Sequence, residues 1–99
     1  MMSEQCVGLK DRWQDTRTTI LAVDDNPASL KLIELMLEKE HFQVLKASNG
    51  RQALELLDAN PEIVDIVLLD RIMPEMDGIE LCRKIKLDER FRSIPVIMQ

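Results

Sequence analysis

From Thr19 onward, short aliphatic runs alternate with longer segments of helical period, a pattern that predicts βα repeats around a parallel sheet. The first run, Thr19 to Val23, reads as a strand. Asn26 and Pro27 then supply an N-cap and a proline at N1, where the missing N–H leaves no bond unmade. The helix they open runs to about Glu40. Its core face is Leu30, Ile33 and Leu37, widened by Met36, while Lys31, Glu34, Glu38 and Lys39 take the water side. Phe42 to Ala47 predicts a second strand, at the sheet edge because Gln43 and Lys46 interrupt it.

Asn49 and Gln52 have the spacing of a capping box, and a helix with Ala53, Leu54 and Leu57 inward follows until Asn60-Pro61 stops it. Asp65 to Leu69 is aliphatic after its first residue, as expected of a strand buried on both faces. Asp77 and Glu80 form a second capping box for a helix to about Leu87, with Ile79, Cys82 and Ile85 on its apolar side. A polar link leads to Ile94 to Gln99, the start of a fourth strand. The expected fold class is therefore α/β, a doubly wound parallel sheet over residues 19–99. Residues 1–18 differ in character. Cys6, Leu9 and Trp13 fall at i, i+3 and i+7, which fits either a weak amphipathic helix or a frayed leader.

With 99 residues, 45% of them hydrophobic, the chain is at most one small domain. A net charge of -5 argues against a nucleic-acid surface, which needs clustered Lys and Arg. The longest apolar runs fall far short of the roughly twenty residues that span a bilayer, and no signal-peptide pattern opens the chain. A cytoplasmic location is expected, with Cys6 and Cys82 as reduced thiols.

The candidate chemistry lies at strand ends. Asp24 and Asp25 close the first strand and Asp70 closes the third. If those strands are neighbours, three acids meet at the carboxyl edge of the sheet, where open α/β sheets bind ligands. Clustered carboxylates repel, so the group reads as a site for a hard divalent cation. Oxygen-only donors favour Mg2+ over Zn2+. Asp70, alone at its strand end, is the natural nucleophile towards a phosphoryl group. Taken singly, the same acids could equally be helix-dipole and strand-end caps.

Together with Met73-Pro74-Glu75-Met76-Asp77-Gly78 and Ile94-Pro95-Val96-Ile97-Met98, these acids make residues 19–99 resemble the receiver domain of two-component response regulators. The resemblance implies a flavodoxin-like receiver fold in which Asp70 accepts a phosphoryl group from a sensor histidine kinase or phosphotransfer protein. It further implies that Asp25 ligates Mg2+ directly, Asp24 ligates it through water, and Ile72 lends its backbone carbonyl. The family's Thr or Ser after the fourth strand, its Lys after the fifth, and helix four, strand five and helix five are not in this sequence. A C-terminally truncated receiver is therefore expected, with apolar surface laid bare and a homo-oligomer as one way to cover it.

Three function classes compete. A phosphoacceptor receiver leads, with self-phosphorylation and slow hydrolysis as its only chemistry and no enzymatic turnover. A degenerate, non-switching receiver acting by protein contact comes second. A phosphohydrolase of the haloacid dehalogenase type would want a second Asp where Ile72 stands. A dinucleotide-binding domain fails for lack of a glycine-rich turn after the first strand.

Overall fold

The computed structural model describes residues 17–70 and 78–98. Four strands, β1 (Thr19–Val23), β2 (Gln43–Ala47), β3 (Ile66–Leu69) and β4 (Val96–Met98), alternate with three helices, α1 (Pro27–Lys39), α2 (Gly50–Ala59) and α3 (Gly78–Leu87). All strand pairs are parallel and the order is β2-β1-β3-β4. The chain therefore winds outward from β1 to β2, then crosses back to β3 and β4. Right-handed crossovers in opposite directions place α1 on one face and α2 with α3 on the other. Polar Gln43 and Lys46 do mark an edge strand.

The main core lies on the α2/α3 face. Leu21 and Val23 of β1, Ala47 of β2, and Val67 and Leu69 of β3 meet Ala53 and Leu57 of α2 and Leu81 and Ile85 of α3. Strand alternation turns Ile20 and Ala22 towards α1, where Leu30 is the one buried helix residue. Ile66 and Leu68 are only half-buried and Ile97 is exposed, so the expectation that β3 is sealed on both faces does not hold among the described residues.

Several boundaries and faces are corrected. Phe42 stays outside β2 because its N–H closes the end of α1 on the Leu37 carbonyl. Asp65 precedes β3 while still bonding Thr19 through both backbone and side chain. Ile94 is buried but enters the turn before β4, and Gln99 lies outside the described residues. Gln52 reaches back to the Ser48 N–H and hydroxyl rather than to Asn49. Asn49 itself caps α2 through Gln52 N–H at 2.8 Å.

Helix faces shift too. Met36 is 59% exposed, because a helix touching the sheet through Leu30, Ile33 and Leu37 carries position 36 on its flank. Leu32 and Leu35 are also exposed, giving α1 an apolar outer strip. On α3 the inward residues are Gly78, Leu81 and Ile85, so Ile79, at 62% exposure, is not core and Cys82 is half-buried. The expected frame and the observed one share Ile85 and differ in Ile79 and Cys82 against Gly78 and Leu81, and packing against the sheet and α2 selects the second.

Helix α1 ends in a Schellman motif: His41 N–H donates to Glu38 O and Phe42 N–H to Leu37 O, both at 3.0 Å. The motif puts His41 at φ 72°, a left-handed conformation that costs a residue with a Cβ about 1 kcal/mol. His41 is exposed. Replacing His41 with Gly is expected to stabilise the fold by up to about 1 kcal/mol, or roughly 4–8 °C in a thermal melt. An unchanged or lower midpoint would show that no strain is stored there.

Candidate functional site

Backbone ladders that continue one residue past the strands build the site. Register pairs Val23 with Leu69, so Asp24 and Asp70 leave the sheet level with one another. Asp70 N–H donates to Val23 O at 2.8 Å, and Asp24 N–H donates to Ala47 O at 3.1 Å. Both acids are thus anchored through the main chain to central strand β1 or to its neighbour. They lie where the strand order reverses, the usual ligand position in an open α/β sheet.

One carboxylate oxygen from each of Asp24, Asp25 and Asp70 lies within 4.8 Å of the other two. Asp24 is buried at 6% exposure, Asp70 is half-buried and Asp25 faces solvent. Burial is the main cause holding the Asp24 carboxyl above its ordinary value. The charges of Asp70 and Asp25 and a side-chain hydrogen bond with Asp70 push the same way, while the Asn26 N–H on Asp24 Oδ1, at 2.9 Å, pulls back. A carboxyl raised by its neighbours' negative charge sits where a cation is favoured. Three oxygen donors with mixed exposure suit a hard metal ion that keeps some of its water.

The structure therefore brings together all three acids chosen from the sequence. Ile72, the Met73-Pro74 segment and the Asp77 cap fall outside the described residues, as do Cys6, Leu9 and Trp13. What the sequence reading missed is the role of Asn26. Its side chain accepts Ala28 N–H at 2.9 Å and Ser29 N–H at 3.2 Å while its own N–H holds Asp24. The cap was legible in Asn26-Pro27, but the bond back to the acid was not. A cleft of about 390 Å³ at the opposite end of β1 and β2, bordered by Arg17, Phe42 and Asn60, includes none of the acids.

A doubly wound sheet with three acids at its switch point is the architecture of a receiver. Residues 20–99 match the response regulator receiver domain family, and the chain belongs to it. Among curated relatives, the response regulator PleD of Caulobacter vibrioides is 44% identical over 79 residues, covering 80% of this chain and 17% of PleD. Chemotaxis protein CheY1 of Helicobacter pylori is 39% identical over 80 residues, covering 80% of this chain and 64% of CheY1. The N-terminal domain of a response regulator receiver protein from Methanoculleus marisnigri JR1 has a similar structure, with a TM-score of 0.76 and 42% identity over 81% of this chain and 63% of that one. A receiver domain protein from Clostridium thermocellum gives 0.77 and 31% over 82% and 63%. The chain thus spans less than two thirds of each of these four proteins.

Proposed function

We propose that the chain is a phosphoacceptor receiver module in which Asp70 takes a phosphoryl group from the phosphohistidine of a sensor histidine kinase or phosphotransfer protein. The observation that carries the reading is the meeting of Asp24, Asp25 and Asp70 within 4.8 Å at the carboxyl edge of the sheet. Asp70 supplies the attacking oxygen: its bond to phosphorus forms as the donor's N–P bond breaks, and the histidine keeps the electron pair. Its main-chain bond to Val23 holds it level with Asp24. Asp24 and Asp25 would hold Mg2+ together with Asp70, and the Ile72 carbonyl is assigned to the same ion by family resemblance. Bound Mg2+ would offset negative charge on the transferring oxygens.

The proposed module is regulatory. Its chemistry is its own phosphorylation and hydrolysis, and its proposed location is the cytoplasm. No helix among the described residues is long and apolar enough to cross a membrane.

Intact mass after incubation with a small acyl phosphate and Mg2+ tests the reading. One phosphoryl adduct that needs both Asp70 and Mg2+ is expected. No adduct on a folded chain would instead support a non-switching receiver that acts by contact alone.

A further inference from the structure

We infer that Asn26 is a positioning residue for the acid pocket, locking the turn that aims Asp24 and Asp25. The inference rests on the proposed Mg2+ site and adds a residue to it that is not itself a ligand. Asn26 has an extended backbone, with φ -96° and ψ 112°, between the strand end and the first helical residue. Three hydrogen bonds meet there. Its side-chain oxygen accepts the N–H groups of Ala28 and Ser29, and its main-chain N–H donates to Asp24 Oδ1 at 2.9 Å. Pro27, at the first helical position, offers no N–H, so the side chain bonds the first two donors of α1.

Coupling follows from covalent geometry. The side-chain cap fixes the peptide plane of Asn26, and that plane carries the N–H that pins one oxygen of Asp24. Asp25 lies between the two anchored residues, so its direction is set by the same turn. Without the cap the turn can fray, the N–H leaves Asp24, and two of the three carboxylates lose their common aim. Mg2+ demands near-ideal octahedral geometry at short range, so looser carboxylates cost affinity. Outer partners that orient metal ligands are typically worth about 10–100-fold in affinity.

A merely structural cap would behave differently, and α2 provides the control. Asn49 caps α2 in the same way, through Gln52 N–H, with no hydrogen bond to any of the three acids. Calorimetric titration of the whole 99-residue chain with Mg2+ should therefore separate the two asparagines. Asn26→Ala should bind about tenfold more weakly, Asn26→Ser should recover to within about twofold because serine caps as well, and Asn49→Ala should bind like wild type although it melts earlier. Asn26→Gly, which costs little stability at an N-cap yet lacks the acceptor, should weaken binding as Ala does. Equal affinity in Asn26→Ala and Asn49→Ala, or no recovery with serine, would overturn this inference alone. If the wild type gave no Mg2+ heat, the metal site and the inference would fall together.

Discussion

Asp70→Asn is expected to raise the thermal midpoint of the metal-free protein and to remove most of its response to Mg2+. Asp24 is buried beside two other carboxylates, and its carboxyl is raised first by burial and then by their charge. Substitution removes one negative charge within 4.8 Å, a relief of roughly 1–3 kcal/mol between aqueous and partly buried screening. The pH dependence has a definite sign. Because the folded chain holds the Asp24 proton more tightly than the unfolded chain, this group's stabilising contribution is fully present below the ordinary carboxylate value. It is lost as pH rises through the raised folded value.

In the variant that loss should be smaller, since Asp70 no longer contributes to the rise. In the wild type Mg2+ should offset the loss, by about 2.7 kcal/mol at a hundred times its dissociation constant. Calorimetric melts between about pH 4 and 7, with chelator and with Mg2+, read both effects. A variant less stable than wild type in chelator, or a wild type indifferent to Mg2+, would sink this account of the pocket.

Phe91→Ala should do more damage than any surface change. Phe91 is 2% exposed and is the largest of the fully buried side chains among the described residues, although it sits in the irregular segment between α3 and β4. Turn bonds from Phe91 N–H to Asp88 O and from Ile94 N–H to Phe91 O, both 3.0 Å, hold the ring in the core. The Arg90 guanidinium lies 4.5 Å from the ring centroid and also pairs with Asp58 of α2 at 2.7 Å. Losing a buried phenylalanine costs about 3–5 kcal/mol. Typical domains hold only about 5–15 kcal/mol, and small ones lie at the low end. A drop of roughly 15–30 °C in the circular dichroism melt is expected. A drop below about 5 °C would mean that the ring is not part of the core.

Phe91 also shows where sequence reading stops. Asp88, Glu89, Arg90, Arg92 and Ser93 surround it, and a lone apolar residue in a polar stretch has no period to reveal its burial. Leu81 was missed for a different reason. Helix α3 offers two apolar frames, one through Ile79, Cys82 and Ile85 and one through Gly78, Leu81 and Ile85, and helical periodicity alone accepts both. Packing against the sheet and α2 chose the second. Met36 failed similarly, being apolar beside the core stripe but on a flank that the described sheet does not cover.

What the sequence determined by itself was local: strands where aliphatic runs are short, helices where caps precede a 3.6-residue period, and acids immediately after β1 and β3. Those features depend on neighbours along the chain, which side-chain chemistry states directly. Tertiary structure alone decided that β3 lies beside β1 and that Val23 stands level with Leu69. It also decided that Asp24, buried and tied to Asn26, shares one pocket with Asp70, 46 positions away in sequence. The physical reason is that strand order and register are set by packing each strand against its neighbours and the sheet against its helices, a sum over contacts between distant segments that no local window contains.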